Sequence, residues 1–567
     1  MTMRPVVVRP RVGDARISSV DDLLARLFAS RGVSSDDELD YALGRLLPVS
    51  SLENIAAAVE LVLSHRERRV LVVGDFDVDG ATSTALLLRC LADFGFAEVD
   101  YLVPNRFDFG YGLSPGIVDV ACRNKPSLII TVDNGISSVS GVAAARSENI
   151  DVLITDHHLP GDELPDANVI LNPNLPGSRF GSKNLAGVGV AFYLVAALGQ
   201  ALQEAGQDGA ARVAAKYIDL VALGTVADVV PLDHNNRILV AQGLKRIRAG
   251  ATVPGIPALL TEAGRSRERC VASDLGFAVG PRLNAAGRLD DMSVGIECLL
   301  TDDAATAARH AQALDAINRD RRDIEQTMRD QAFRIVDKIH ESRLPACVCL
   351  FDESWHQGVV GLVAGRVKEK FNRPVAAFAL EDDTSLKGSV RSVAGVHARD
   401  LLEAINSAEP GLIRKFGGHA MAAGLTLDRS AYETFREQAQ VQMRRLYPQA
   451  DFSGTISSDG VLPGDRLTIT FARELRNRGP WGSGFPEPAW HGLFHVIETR
   501  VVGEHHLKLK VRPADGAASI DAIAFNQAET PCRGIVQLAY RLDVNEWRGV
   551  ERPQLVVEQI APASSDD

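Results

Sequence analysis

Between Arg69 and about Val230 the chain alternates short β-branched apolar runs with Ala-rich stretches of helical length; the runs are RRVLVVGDF, AEVDYLVP, SLIITVDN, IDVLITDHH and NVILNP. Strands separated by helix-length connections predict βαβ units and a mostly parallel sheet. Ligands of such sheets gather at the carboxyl ends of the strands, which is where the acidic residues of this segment fall. Residues 302–341 contain neither Gly nor Pro and carry apolar positions at helical spacing among charges, so a long connecting helix is expected. A second α/β segment starts at LPACVCLFDE and runs through RPVAAFAL, GSVRS and GGHAMAAGLTL to about Tyr447. From Asp451 onward alternating runs such as HGLFHVIETRVV, HLKLKVRP and GIVQLAYRLDVNEW predict a small antiparallel barrel. The expected fold class is therefore α/β. Its segments are an N-terminal extension (1–49), an α/β domain (50–301), the connecting helix (302–343), the second α/β domain (344–447) and the barrel (451–562).

Composition narrows the class. The 567 residues leave room for roughly three to four domains. With 46 % hydrophobic and 24 % charged residues, collagen-like, coiled-coil and wholly disordered chains are disfavoured. Apolar stretches are interrupted well before the roughly 20 residues of a membrane span, and the first residues lack the apolar core of a secretory signal, so no membrane partner and a cytoplasmic location are expected. Seven scattered cysteines without a CxxC pair support neither a disulfide framework nor a zinc ribbon. The net charge of −12 does not exclude a polyanionic partner, because phosphate binding depends on where Arg and Lys are placed, and a cluster of acidic metal ligands would itself add to the negative sum.

In VLVVGDFDVDGATSTALLL a strand ends at Gly74 and releases Asp75, Asp77 and Asp79 before a helix opens at Gly80. Carboxylates at alternate positions repel one another, and a hard divalent cation, Mg²⁺ or Mn²⁺, relieves that repulsion; a solvated acidic turn or an N-cap by Asp79 is the structural alternative. LIITVDNGISS presents Asp133, and VLITDHHLPG presents Asp156, His157 and His158, again at strand exits. Neighbouring histidines point in different directions, so one can take a metal while the other faces substrate. Asp228, in LVALGTVADVVPL, completes a mixed Asp/His set suited to two divalent ions. Two such ions about 3.5–4 Å apart activate water and stabilise the attacking and leaving oxygens at phosphorus. The reaction class is phosphoester or phosphoanhydride hydrolysis. A GxxxxGK[ST] phosphate loop is absent from the sequence, so no nucleoside triphosphate is expected.

The ordered stations DxDxDG, VDNG, TDHH and GTVAD resemble motifs I to IV of the DHH phosphoesterase superfamily, and the long helix followed by GGHAMAAG resembles its DHHA1 companion domain. Together with VPNRFDFGYGLS, GPRLNAAGRLDD, SWHQGVVG and a barrel containing GPWGSGFPEPAW, the pattern over roughly residues 50–560 is similar to the superfamily's single-strand-specific DNA exonucleases. The resemblance implies a DHH domain, a DHHA1 domain and an OB-like barrel. It implies that Asp77, Asp79, Asp133, His157 and Asp228 bind two Mn²⁺ or Mg²⁺ ions, with Asp133 the bridge and Asp75 either a further ligand or a neighbouring carboxylate. Asp156 would orient the histidines and His158 contact the scissile phosphate. A histidine that some members carry four residues before the DxD pair is Val73 here.

Substrate contacts are sought among groups that recognise phosphate without reading a base. Arg106 could clamp phosphate, whereas Tyr111 is equally a stacking surface or a packed turn. Arg282, Asn284 and Arg288 offer donors or form a helix-capping turn, and the family pattern favours phosphate contacts for Arg282 and Asn284. In the companion domain Ser389 and Arg391 are candidates for a 5′-terminal phosphate, which would set 5′ to 3′ polarity; Gly417, Gly418 and His419 form either an anion nest or a tight turn. Trp355 and His356 read as a helix start at least as readily as a substrate contact, and Lys508, Lys510, Arg512 and Trp547 are barrel candidates. The resemblance implies metal-dependent degradation of single-stranded DNA from a 5′ end to mononucleotides in repair and recombination. The expected partners are that DNA, a helicase and a single-strand-binding protein, and a monomer is expected. The alternatives are a DHH phosphodiesterase of short oligonucleotides or cyclic dinucleotides, and a non-catalytic nucleic-acid-binding scaffold.

Overall fold

The structure is a computed structural model that describes residues 3–13, 15–104, 112–338, 344–450, 452–530, 532–547 and 549–563. A short strand β1 (Val6–Val8) precedes a five-stranded sheet of β2 (Arg69–Gly74), β3 (Glu98–Leu102), β4 (Leu128–Val132), β5 (Asp151–Thr155) and β6 (Val169–Leu171). The five apolar runs of the first segment supply these five strands, in the order β3-β2-β4-β5-β6 and all parallel. Val70–Gly74 and Leu128–Val132 are buried throughout, the continuous apolar pattern of strands covered on both faces. From β2 the chain crosses to β3 on one side and returns to β4 on the other, so the connections leaving neighbouring β2 and β4 diverge. That divergence opens a crevice at their carboxyl ends. Helices Val78–Asp93, Gly187–Glu204 and Ile218–Ala227 pack against one another beside it.

The long helix is present as Ala304–Asp337, 34 residues. The second α/β segment forms β7 (Val348–Phe351), β8 (Val375–Leu380), β9 (Ser385–Arg391), β10 (Ile413–Gly418) and β11 (Ala422–Asp428), in the order β10-β11-β9-β8-β7. Only β7 and β8 run parallel there. After β12 (Ile456–Ser458), which pairs in parallel with β1, come β13 (Trp490–Val502), β14 (His506–Pro513), β15 (Ile520–Ala524), β16 (Ile535–Trp547) and β17 (Val550–Pro562). They close into a barrel in the order β13-β14-β15-β17-β16. It is an OB-like Greek-key barrel rather than a wholly antiparallel one, because β15 and β17 pair in parallel. Alternation along a strand reports its two faces but not the direction of its neighbour, so this pairing lay outside the sequence pattern.

By packing, the chain divides into two compact units, Val6–Asp315 with Ile456–Asp567, and Met1–Pro5 with Ala316–Thr455. Within the first, the barrel and the parallel-sheet domain share one buried apolar cluster. The GPWGSGFPEP segment makes that junction: Trp481 and Phe485 stack on each other at 5.2 Å and on Phe28 at 5.9 and 6.3 Å, and the Leu232 N–H donates to the Ser483 carbonyl at 2.7 Å. No single described helix is long and apolar enough to cross a membrane. The seven cysteines are unpaired thiols, five of them buried.

Candidate metal centre

The carboxyl ends of β2, β4 and β5 and the end of helix Ile218–Ala227 deliver the acidic residues to one place. Asp75 follows β2 and is buried. Asp77 caps helix Val78–Asp93, accepting from the N–H groups of Asp79 at 2.9 Å and Gly80 at 3.1 Å. The N-cap of this helix is therefore Asp77, not Asp79. Buried Asp79 turns to the start of helix Gly187–Glu204, where the Gly187 and Val188 N–H groups donate to its two oxygens at 2.6 and 2.8 Å. A helix N-terminus favours a carboxylate, which fixes the rotamer of Asp79.

Asp133 leaves β4 with φ +59°, a left-handed conformation tolerated by Asp far better than by bulky residues. The Asn134 amide donates to the Val73 and Val132 carbonyls at 3.0 and 2.9 Å, tying this turn to the neighbouring strand. Val73 is thus a buried strand residue whose carbonyl helps to set the Asp133 turn.

Asp156 organises the two histidines. Its Oδ1 accepts from the His157 and His158 N–H groups at 2.7 and 3.0 Å and lies 2.7 Å from His158 Nδ1, while its Oδ2 accepts from the Ile136 N–H at 2.9 Å. Asn174 and Asn172 donate to the His157 and His158 carbonyls at 2.7 and 2.9 Å. His157 Nε2 then stands 3.1 Å from Asp133, 3.5 Å from Asp228 and 3.9 Å from Asp79. Three triads each bring one donor atom per residue within 4.8 Å of the others: Asp133 with His157 and His158, Asp79 with His157 and Asp228, and Asp75 with Asp77 and Asp133. Asp133 and His157 each belong to two of these sets.

The donor set is short of positive charge. Burial first, then the charges of Asp228 and Asp77, hold the Asp79 carboxyl well above the usual carboxylate range. Burial followed by the charges of Asp79, Asp77, Asp228 and Asp75 does the same to Asp133. Asp228 is pushed up to about 7 by burial and the charge of Asp77. Asp156 behaves oppositely: burial disfavours its charge, but the hydrogen bond and charge of His158 outweigh that and lower it. Burial likewise disfavours a charged His158 ring, and the hydrogen bond and charge of Asp156, with Asp228 and Asp75, outweigh it and raise His158 to about 9. Crowded hard oxygens with one shared imidazole are the donor chemistry of Mg²⁺ and Mn²⁺, and a cation among them removes the repulsion that drives these carboxyls toward protonation.

The remaining candidates fall in several places. Asn284, on helix Gly280–Leu289, accepts from the Val78 N–H at 3.3 Å and so braces the first metal loop. Arg282 is buried, paired with Asp315 at 2.8 Å and donating to the Ala278 carbonyl at 2.7 Å. Arg106 and Tyr111 lie outside the described residues, as does the Trp547 side chain. In the second unit Arg391 donates to the Ser389 hydroxyl at 2.8 Å on β9. Gly361, at the start of helix Val360–Phe371, leaves room for both: a Cβ there would lie 2.7 Å from Arg391 Nη2 and 3.0 Å from Ser389 Oγ. Gly418, the last residue of β10, has φ +143°, and in the turn that follows the His419 N–H donates to the Ala422 carbonyl at 2.7 Å. Trp355 is packed in the interior of its unit with Nε1 donating to Gln331 at 2.8 Å, and His356 Nδ1 accepts from the Gly358 N–H at 3.1 Å. On β14, Lys510 and Arg512 are exposed. Sequence reasoning gave no role to Asn134, Asn172, Asn174, Gly187 and Gly361, although Asn134 lies in VDNG, Gly361 ends SWHQGVVG, and Asn172 and Asn174 form the NPN that closes β6.

A parallel sheet whose crevice holds these aspartates and paired histidines, in a chain that also carries a companion α/β domain, defines a DHH phosphoesterase. The family model described as the DHH family N-terminal domain matches residues 69–225, the DHHA1 domain 343–444, and the RecJ OB domain 458–559. The single-stranded-DNA-specific exonuclease RecJ of Escherichia coli strain K12 is 51 % identical over 552 residues, covering 95 % of this chain and 96 % of that protein. Its counterpart from Haemophilus influenzae is 44 % identical over 99 % of this chain and 100 % of that protein. The crystal structure of RecJ in complex with Mn²⁺ from Thermus thermophilus superposes with a TM-score of 0.82 at 30 % identity, over 99 % of this chain and 80 % of that one, and a Mg²⁺ complex from the same organism gives 0.77 at 28 % identity, over 99 % and 78 %. The chain belongs to the RecJ family of single-stranded-DNA-specific exonucleases.

Proposed function

We propose that this chain is a metal-dependent exonuclease that degrades single-stranded DNA from the 5′ end to mononucleotides, in DNA repair and recombination. The observation that carries the proposal is the convergence of Asp79, Asp133, His157 and Asp228 on shared points, with Asp75 and Asp77 adjoining through Asp133. Asp77, Asp79, Asp133, His157 and Asp228 would hold two Mn²⁺ or Mg²⁺ ions, with Asp133 serving both and Asp75 a further ligand or neighbouring carboxylate. Bound divalent ions lower the pKa of water and stabilise negative charge on the phosphorus oxygens.

The chain's own residues do the rest. Asp156 holds the His158 ring and supports its protonated form, so that His158 donates a hydrogen bond to the scissile phosphate and supplies positive charge as the leaving oxygen departs. Asn172 and Asn174 keep the two histidine carbonyls, and hence both rings, in place. Ser389 and Arg391, beside the start of helix Val360–Phe371, form a cationic donor pair for a 5′-phosphate, with Gly418 and His419 at the nearby end of β10 in the same sheet. Arg106 is assigned to the phosphate backbone. Arg282 and Asn284 serve through the helix that braces the first metal loop.

The division of labour assigned is an extension (1–49), the DHH domain (50–301), a connecting helix (302–343), the DHHA1 domain (344–447) and a barrel (451–562) that tracks the strand. A helicase and a single-strand-binding protein are the proposed partners, and a cytoplasmic monomer the working form. The test is Mn²⁺-dependent digestion of labelled single strands differing in length and end chemistry, with duplex as control. Release of mononucleotides from 5′-phosphorylated single strands supports the proposal. Preference for dinucleotides would replace it with a short-oligonucleotide phosphodiesterase, and binding without cleavage with a scaffold.

A further inference from the structure

Phe277 is 82 % exposed, although the residues around it, Leu275, Ala278 and Val279, are buried. It sits on a π-helical turn, Leu275–Val279, that runs directly into helix Gly280–Leu289. Such a turn inserts one extra residue into a helix and is frequent at functional sites. Here it throws an aromatic ring off the buried face.

The place where the ring emerges is defined by close backbone approaches. A Cβ on Gly276 would lie 3.2 Å from Val226 Cγ1, and one on Gly280 would lie 3.4 Å from Ala227 Cβ. The π turn is therefore seated on the last residues of the helix that ends in Asp228. Further along, a Cβ on Gly287 would collide with the Phe76 carbonyl at 1.7 Å, so the same helix also lies against the loop carrying Asp75 and Asp77. A second exposed apolar side chain stands beside this seat. Val229 follows Asp228, is 67 % exposed, and has φ +65°, a left-handed conformation that β-branched residues rarely adopt. Strain of this kind persists where the surroundings enforce it, and it clusters at ligand sites.

The geometry points to Phe277, on the π turn seated against the helix end that leads into Asp228 and Val229, as a stacking platform for one nucleobase of the bound strand, next to the phosphodiester held at the metal centre. This inference rests on the nuclease reading above. A single exposed apolar residue is ordinary on a protein surface. Two of them on elements that abut a metal-binding carboxylate, one on a π turn and the other in a strained backbone, match a ligand that is anionic at phosphorus and flat and apolar at the base. Stacking accepts every base, so the platform adds grip without sequence preference.

The test uses the full-length chain. Phe277→Ala should raise KM for single-stranded DNA about tenfold, the scale of one lost aromatic–base stack, with kcat at saturating DNA within about twofold of wild type. Phe277→Trp should keep wild-type KM, and Phe277→Leu should behave as Phe277→Ala, which separates stacking from mere apolar burial. Because the ring is exposed, all three variants should melt with the wild type. Oligonucleotides with one abasic site walked along the strand, bound without metal, then locate the contact: one position should weaken wild-type binding and leave Phe277→Ala binding unchanged. Additive losses at every position, or a Phe277→Leu variant equal to wild type, would overturn the platform. If the wild-type chain neither binds nor cuts single strands, it is the nuclease reading that fails.

Discussion

Gly187→Ala tests how closely the metal centre is packed. Gly187 opens the helix whose N–H groups hold Asp79, and a Cβ placed on it would stand 2.6 Å from Asp133 Cβ and 2.9 Å from both Asp133 Cα and Oδ1. Carbon atoms rest about 3.5–4.0 Å apart, so relief requires roughly 1 Å of separation between the helix start and Asp133. Neither side yields cheaply: Asp133 is fixed in a left-handed turn at φ +59°, and the helix start is bound to Asp79. A misplacement of about 1 Å at a reacting centre costs on the order of 100-fold in rate, and overpacking costs about 1–3 kcal/mol in stability. The assay is release of 5′-labelled nucleotide from a single strand under saturating Mn²⁺, with Mn²⁺ affinity and the melting temperature followed alongside. The expected result is a fall of about 100-fold in kcat/KM, weaker Mn²⁺ binding and a lower melting temperature. Gly189→Ala is the control, since its new Cβ meets the flexible Leu185 side chain at 3.0 Å, and it should stay near wild type. Wild-type turnover and Mn²⁺ affinity in Gly187→Ala would refute the reasoning.

Asp133→Ala should abolish hydrolysis while leaving the fold intact, and in metal-free protein it should raise the melting temperature by removing one of several repelling buried carboxylates; calorimetry with and without Mn²⁺ checks both. Metal-free protein should lose stability as pH rises from about 5 to 9. Asp228, about 7 when folded, holds a proton that the unfolded chain releases near pH 4, and His158, raised to about 9, contributes stability present below about 6.5 and lost as pH passes 9. Mn²⁺ should flatten that slope, and a metal-free melting temperature that rises with pH would contradict the charge balance described. Arg391→Ala should lower kcat/KM for 5′-phosphorylated ends roughly 10–100-fold, the scale of a charged hydrogen bond, and leave Mn²⁺ affinity unchanged; equal losses on phosphorylated and hydroxyl ends would count against end recognition.

The frame of the site was legible because each strand exit carries its own short signal. Val70–Gly74, Leu128–Val132 and Asp151–Thr155 read as strands from their apolar runs, and a parallel sheet sends the residues after them to one edge, so Asp75, Asp133 and Asp156 had to converge. Asp228 carried no such signal by itself; it entered only beside the other acidic stations, as the residue that completes a mixed Asp/His set. What no pattern revealed was the bracing. Asp79 is fixed by N–H groups 108 and 109 residues away, and the histidine carbonyls by Asn172 and Asn174, contacts that exist only once β5, β6 and helix Gly187–Glu204 have packed. Arg282 illustrates the converse. Its motif suggested a phosphate contact, whereas the folded chain buries it against Asp315, because charge in a sequence does not tell which arginines find an internal partner.

Cleavage of single-stranded DNA by this chain, as proposed, depends on paired divalent cations that the converging aspartates and one imidazole would hold. The most direct measurement is Mn²⁺ titration into chelator-treated protein, counting bound ions while following mononucleotide release from a 5′-phosphorylated single strand. No release is expected without metal, and full activity is expected as the second ion per chain is bound. Equal release in chelator and in Mn²⁺, or full activity with no ion bound, would contradict it.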